Sequence, residues 1–320
     1  GSFGKSFVET VLREFSPRRL AIFSRDELKQ FDMQVGGLDQ NTHPSLRYFI
    51  GDIRDQDRLT MATRGVDVII HAAALKQVAT AEYNPFECIH TNVLGAENVV
   101  RSAIQNDVKK VIALSTDKAA SPANLYGASK LASDKIFIAG NNLSGENGSR
   151  FSVVRYGNVA GSRGSVIPYF MGLVAKKAKC LPITDDRMTR FSITLDKGVN
   201  FVLSCMTSMR GGEIFVPKIP SLRITDIAKA VAPDMPQEVV GIRPGEKLHE
   251  VMITEDDART TLELSDRYVI EPAFAWWSRK SYMDDHGARP VPEGFRYGSE
   301  TNVDWLDLEA IKNLIKAVKT

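Results

Sequence analysis

The residue types with the most chemistry in this chain lie in two short runs, Ser115-Thr116-Asp117-Lys118-Ala119 and Tyr126-Gly-Ala-Ser-Lys130. The first reads as a hydrophobic strand ending in polar residues. The second reads as a helix start carrying Tyr126 and Lys130 four apart, on one helix face. Both side chains can then point at whatever sits over the strand end, beside Asp117 and Lys118. A phenol, two amines and a carboxylate share one small space. A nearby ammonium favours the phenolate and lowers a tyrosine pKa, so the set suits proton transfer at neutral pH. A lone Tyr-x-x-x-Lys is common on any helix, and it is the Thr-Asp-Lys run before it that makes the pair informative.

Such a site needs a rigid frame, and the first half of the chain supplies an alternation of strand and helix. Strands are predicted at Arg19–Phe23, Leu46–Ile50, Val66–His71, Lys110–Ser115 and Ser152–Tyr156. Helices are predicted around Lys5–Glu14, Gln56–Ala62, Pro85–Gln105 and Leu125–Asn141. Continuous apolar strands in this rhythm indicate an α/β fold, a doubly wound parallel sheet covered on both faces. Gly140–Ser149, rich in Asn, Gly and Ser, reads as a surface loop. After Gly157 prolines from Pro168 to Pro292 break the rhythm, which predicts a smaller C-terminal region contributing a substrate pocket. A terminal amphipathic helix is predicted at Asp304–Val318. The expected division is residues 1–157 and 192–217 for a Rossmann-type nucleotide-binding domain, and 158–191 and 218–320 for the smaller substrate-binding domain.

Composition narrows the function classes. The chain has 320 residues, 43% hydrophobic and 25% charged, with a net charge of +2, the balance of an ordinary globular protein. There is no long Lys/Arg block to suggest nucleic acid, no apolar run long enough to span a bilayer and no signal-peptide pattern. Cys88, Cys180 and Cys205 are far apart in apolar contexts. They read as reduced, buried residues of a cytoplasmic protein, with no metal or disulfide framework.

The amino end reads as a nucleotide site. Gly1-Ser2-Phe3-Gly4 runs directly into a helix with no strand before it. This is the pattern of the last part of a Gly-x-x-Gly-x-x-Gly turn whose first strand and first glycine precede residue 1. Glycines there let a pyrophosphate approach the helix N-terminus. The next strand ends in Ser24-Arg25, with Lys29 following. Hydroxyl and cations at that position suit the 2′-phosphate of NADP, where an acidic residue would favour NAD; Asp26 and Glu27 nearby soften the distinction. Asp52-Ile53 can cap an adenine. The small side chains of Ala72, Ala73 and Ala74 leave room for a flat cofactor, with Lys76 just beyond.

Taken together, these segments resemble the extended short-chain dehydrogenase/reductase superfamily. The resemblance is carried by His71-Ala-Ala-Ala-Leu-Lys76, Thr91-Asn92-Val93, Ser115–Ala119, Tyr126-x-x-x-Lys130 and Arg155-Tyr-Gly-Asn158-Val. Within that superfamily the chain is similar to the inverting UDP-N-acetylglucosamine 4,6-dehydratases of pseudaminic acid biosynthesis and flagellin glycosylation. Ser24–Lys29, Ala81–Pro85, Gly161–Ser165, Leu181–Asp185, Arg187–Phe191 and Gly241–Glu250 extend the match over nearly the whole chain. Gln77 and Thr80 depart from it. Retaining dehydratases carry Glu where this chain has Lys118, and related capsule-synthesis enzymes carry Met in place of Tyr126.

The resemblance implies NADP as cofactor, UDP-N-acetylglucosamine as substrate, and a homo-oligomer, up to a hexamer, paired through Pro85–Gln105 and Leu125–Asn141. A C5 proton is removable only once C4 is a ketone. Tyr126 then takes the O4 proton, Lys130 lowers the phenol's pKa and holds the nicotinamide ribose, and Thr116 bonds the developing oxyanion. Lys118, its pKa pushed down by burial, Lys130 and the cofactor's charge, is the expected C5 base. Asp117 is the expected acid for the departing C6 hydroxyl. Asn92 matches a helix-kink asparagine and is counted with the cofactor residues. Lys76, Asn158, Arg163, Thr184, Arg190, Arg243 and Glu246 are the expected sugar-nucleotide contacts, arginine being suited to diphosphate. Two other readings compete. A UDP-sugar 4-epimerase needs Tyr126 and Lys130 but has no use for Asp117-Lys118. A redox-sensing regulator binds NADP without turnover and would not need to keep both Tyr126 and Lys130.

Overall fold

A computed structural model describes residues 1–162, 164–284 and 287–319. The first half folds as α1 (Ser2–Glu14), β1 (Leu20–Ser24), α2 (Glu27–Val35), β2 (Leu46–Ile50), α3 (Gln56–Ala62) and β3 (Val68–His71). It continues with α4 (Val78–Tyr83), α5 (Pro85–Ile89), α6 (Gly95–Gln105), β4 (Lys110–Thr116), α7 (Leu125–Ser144) and β5 (Arg150–Tyr156). β3, β4, β5 and Ile214–Pro217 run parallel in one sheet. Arg267–Ile270, Thr261–Glu263 and Arg289–Pro290 extend it as antiparallel strands. The sheet therefore has seven strands, with β3 at one edge. Its last three come from sequence expected to belong to the substrate-binding part. β1 and β2 form a separate parallel pair.

Nearly every residue of β5 is buried, as a strand covered on both faces requires. α7 packs on β4 and β5 beside α6, and Leu195–Ser208 packs on the same two strands beside α1. A second core gathers Ile167, Phe170, Leu181, Ile183, Leu222 and Ile227 under the terminal helix. Around it lie the three-stranded sheet of Asn158–Val159, Thr189–Ile193 and Ser221–Arg223, and the parallel pair Leu181–Ile183 with Gln237–Val239. Among the described residues no helix is long and apolar enough to cross a membrane.

Four local expectations are corrected. The helix expected over Pro85–Gln105 is α5 and α6 joined by a π turn, His90–Leu94. The loop expected from Gly140 begins only after Ser144. Asn141 Nδ2 donates to the Phe151 carbonyl at 2.9 Å, its Oδ1 accepts from Phe151 N at 3.1 Å, and Gly140 packs on the Phe151 ring. The small polar residues serve a close helix–strand approach, and their composition alone cannot be told from a loop. The terminal helix starts at Leu308, because Asp304 and Leu306 first bond Ser221 along an extended path. α2 and α4 were not anticipated; α2 is capped by Asp26, whose side chain accepts from Lys29 N. Of the three free cysteines Cys88 and Cys205 are buried, whereas Cys180 is only partly covered, with Sγ 3.1 Å from Glu238 Oε2.

Candidate active site

β4 delivers the reactive residues at its carboxyl end, where open α/β sheets bind ligands. The chain turns there through a short 3₁₀ segment, Asp117–Ala119, with Thr116 as its cap. Thr116 Oγ1 donates to Asp117 Oδ1 at 2.9 Å, and Lys118 Nζ donates to the same oxygen at 3.1 Å. α7 follows, started by Asn124, whose side chain accepts from Gly127 N at 2.8 Å. Gly127 is a packing requirement, since a Cβ there would collide with the Lys118 carbonyl. The first turns of α7 thus lie directly against the turn that carries Asp117 and Lys118. Tyr126 and Lys130 are both buried there.

Asn92 braces this arrangement. It lies in the π turn, 1% exposed. Its Oδ1 accepts from Leu75 N at 2.8 Å, and its Nδ2 donates to Leu75 O and to Ser129 Oγ, each at 2.9 Å. One side chain therefore ties the segment after Ala72–Ala74 to α7 between Tyr126 and Lys130. That spends its polar groups internally, so Asn92 supports the cofactor residues and is not one of them.

The electrostatics depart from the sequence expectation at two points. Burial pushes the Tyr126 hydroxyl up to about 12, and Lys118 is the cation that acts most to lower it. Burial disfavours the charge on Lys118, but Asp117 and a second carboxylate, Glu250, outweigh burial and raise its pKa. Glu250 Oε1 lies 3.0 Å from Lys118 Nζ. The ammonium of Lys130 is weakened by burial against the pull of Asp134, and that of Lys247 by burial against Glu250 and Asp117.

His71, at the end of β3, is also buried. Its ring lies 5.3 Å from that of Phe137, and burial followed by Lys130 lowers its pKa to about 3 from 6.5. A depressed folded-state pKa gives stability that is complete above the unfolded value and lost as pH falls through the folded one. Thermal melts should therefore show stability declining as pH falls from 6.5 towards about 3, and His71→Asn should flatten that slope. Equal slopes in the two proteins would exclude His71 as the cause.

The expected cofactor residues occupy the amino ends of helices and carboxyl ends of strands. α1 starts at Gly1 with no capping side chain and no acidic residue in its first turn, so the N–H groups of Ser2, Phe3 and Gly4 can receive an anion. The Phe3 ring itself packs against Phe7 and Tyr156. Ser24 Oγ accepts from Asp26 N at 3.2 Å, and Lys29 pairs with Asp26. Arg25 Nη1 lies 3.3 Å from Asp52 Oδ2, an oxygen that Arg54 also holds at 2.8 Å. Ile53 is buried, its carbonyl taken by Asn98 at 2.9 Å. Ala72, Ala73, Ala74 and Lys76 are exposed.

The substrate candidates divide. Arg190 is 9% exposed and donates to the carbonyls of Thr189, Leu248 and Lys247 at 2.7, 3.1 and 3.0 Å. It organises the Lys247–Glu250 stretch and has little left for a diphosphate, which corrects its assignment. Arg243 is largely exposed, 3.9 Å from Glu246. Thr184 is brought towards the same loop because Val240 N bonds Ile183 O at 2.8 Å. That loop docks on the reactive turn: Asn124 Nδ2 donates to Gly245 O and Lys247 Nζ to Ala120 O, each at 2.7 Å. Arg163 lies outside the described residues. Among the described residues no group hydrogen-bonds Asp117 Oδ2, Asn158 Oδ1, Glu246 Oε2 or Glu250 Oε2, all buried.

Sequence reading missed Glu250, Lys247 and Arg54. Glu250 and Lys247 lie in the Gly241–Glu250 run that carries the family resemblance, yet nothing in their spacing connects them to Lys118.

The comparisons with known proteins agree with this geometry. A profile of the family described as polysaccharide biosynthesis protein matches residues 1–272. A Campylobacter jejuni protein described as UDP-N-acetylglucosamine 4,6-dehydratase (inverting) is 51% identical over 319 residues, 98% of this chain and 94% of that one. A Rickettsia canadensis protein described as UDP-glucose 4-epimerase is 43% identical over 324 residues, 98% of this chain and 92% of that one. The X-ray structure of Pen from Bacillus thuringiensis superposes with a TM-score of 0.89 at 35% identity, covering 100% of this chain and 95% of that one. With its sheet, its Tyr-x-x-x-Lys helix and a profile match over most of its length, the chain belongs to the polysaccharide biosynthesis protein family of extended short-chain dehydrogenases/reductases.

Proposed function

We propose that this protein is an inverting UDP-N-acetylglucosamine 4,6-dehydratase that uses NADP. One observation carries the reading: Asp117 and Lys118 share a 3.1 Å hydrogen bond at the turn against which Tyr126 and Lys130 pack. A 4-epimerase, the activity by which the Rickettsia relative is described, needs a proton acceptor for O4 and nothing more. Water elimination needs in addition a base at C5 and an acid at the C6 hydroxyl. The C5 base must be a neutral amine and the acid a protonated carboxyl. Moving the one shared proton from Lys118 Nζ to Asp117 Oδ1 produces both forms together, with no net change in charge.

The residues present fit a nicotinamide dinucleotide: the uncapped N-terminus of α1 for the diphosphate and the small exposed Ala72–Ala74 for a flat ring system. Such a cofactor, when bound, supplies the hydride acceptor for C4 and the hydride donor for C6. The chain's own residues handle the protons. Tyr126 receives the O4 proton as phenolate, favoured by the ammonium of Lys118. Thr116 steadies the oxygen left at C4, Lys118 withdraws the C5 proton and Asp117 protonates the leaving hydroxyl. The donorless Asn158 Oδ1 and Glu246 Oε2 are fitted to sugar or ribose hydroxyls, and exposed Arg243 to the diphosphate.

Mass analysis of the product from UDP-N-acetylglucosamine tests the reading. A product one water lighter, with solvent deuterium at an inverted C5, supports it. A product of unchanged mass and inverted C4 would make the protein an epimerase.

NADP preference rests on Ser24 and Arg25. The Asp52 carboxylate holds Arg25 at the end of β1, where a 2′-phosphate would compete for it. Arg25→Ala should weaken NADP binding by about tenfold or more, the size of a lost charge-assisted contact, and leave NAD binding nearly unchanged. Calorimetric titration with both cofactors checks this, and equal losses would refute it. Assembly through α5 to α7 is supported by the exposed Phe86, Ile89 and Leu94, with Tyr83 at the end of α4, apolar side chains suited to a second copy. Light scattering should give a dimer mass or larger; a monomer at micromolar concentration would count against it.

A further inference from the structure

We propose that Glu250 is a positioning residue for Lys118: its carboxylate, carried on the segment that docks against the catalytic turn, aims the amine and holds its charge until elimination requires the proton to move. The inference rests on the dehydratase reading and deepens it.

Lys118 has two anionic partners that arrive from different parts of the fold. Asp117 is its chain neighbour and moves with it. Glu250 is not, and it is held from behind by its own backbone. Glu250 N donates to Ser299 Oγ at 2.9 Å, and Ser299 N donates back to the Glu250 carbonyl at 2.8 Å. The next residues, Val251–Ile253, pair with Tyr297–Gly298 and pack on the Asp117–Ala119 turn. The carboxylate is 2% exposed. It faces Lys118 Nζ at 3.0 Å, with Arg190 Nε at 3.8 Å and Lys247 Nζ at 3.9 Å. Among the described residues its Oε2 accepts no hydrogen bond. A buried carboxylate with one oxygen on the amine, and the other without a hydrogen-bond donor and 3.9 Å from Lys247 Nζ, can both direct that amine and respond when the charges around it change.

Asp117 alone would leave the amine free to swing about its flexible stem. The second, fixed oxygen gives Nζ another anchor at 3.0 Å besides Asp117 at 3.1 Å. The same anion favours the ammonium over the amine, alongside Asp117 and against Arg190 and Lys247; Tyr126 is the other titratable group facing this cluster. Removing the charge of Glu250 should therefore make Lys118 lose its proton at lower pH.

The test compares Glu250→Gln and Glu250→Asp with the wild type by stopped flow. Reduced-nicotinamide absorbance reports C4 oxidation, and loss of water reports elimination. In Glu250→Gln, oxidation should stay within about threefold of wild type. Elimination should slow by about tenfold to a hundredfold, the size of a lost charge-assisted hydrogen bond, and its acid limb should move to lower pH. Glu250→Asp keeps the charge but withdraws it, so the plateau should fall while the acid limb stays near its wild-type position. NMR titration of Lys118 in ligand-free protein, with labelled lysine assigned against Lys118→Met, should show its midpoint lowered in Glu250→Gln. An unmoved Lys118 midpoint in Glu250→Gln would overturn the proposal. So would an Asp variant with wild-type elimination, or oxidation and elimination falling together with the melting temperature. Product mass from the wild type decides the dehydratase reading separately, and the NMR titration does not depend on it.

Discussion

Lys118→Met should leave an enzyme that oxidises C4 but does not eliminate water. Elimination should fall by about 10²–10⁴-fold, the usual worth of a positioned acid or base, while C4 oxidation persists. Mixing with UDP-N-acetylglucosamine should give reduced-cofactor absorbance without dehydrated product, and no solvent deuterium at C5. The structure adds a secondary effect. Lys118 is the cation that lowers the buried Tyr126 hydroxyl, so its removal should also slow oxidation and shift its pH dependence upward. A pH series separates the two: raising the pH should restore oxidation and not elimination. Near wild-type elimination in this variant would remove Lys118 from the base role and, with it, the basis for inversion at C5.

Tyr126→Phe should stop the reaction one step earlier. With no phenol to accept the O4 proton, C4 oxidation should drop by about 10²–10⁴-fold and no reduced cofactor should accumulate. Substrate affinity should change little, because the side chain's role is a proton transfer realised in the transition state. Fold stability should also be kept, because the ring remains to pack against Ala81 and Cys88. The two variants together order the steps. A Tyr126→Phe enzyme that still reduces its cofactor would show that another group takes the O4 proton, and Lys118, the cation acting on the phenol, would be the first to examine.

The dehydratase and epimerase readings share everything up to the ketone at C4. On the dehydratase reading, the two mechanisms part at the work given to Asp117 and Lys118.

The α/β frame and the first four reactive residues were legible along the chain because the forces that place them are local. Apolar runs the length of a buried strand specify β3, β4 and β5. The i, i+4 spacing puts Tyr126 and Lys130 on one face, and a strand end followed at once by Asp117-Lys118 puts those groups at the sheet's carboxyl edge. Asn92 was legible as a helix-kink residue, but its pair of hydrogen bonds to Leu75 was not. The tertiary structure alone decided the charge on the site. Arg190 looked like a phosphate ligand until its guanidinium met three backbone carbonyls. Lys118 was expected to be pushed towards neutrality by burial and Lys130, but Val251–Ile253 packs beside its turn and brings Glu250 to 3.0 Å. Periodicity and propensity act over a few residues, whereas a Coulomb interaction depends only on distance in space and on the medium between. Which carboxylate faces a buried amine is therefore set by how distant segments dock, and only the folded chain contains that information.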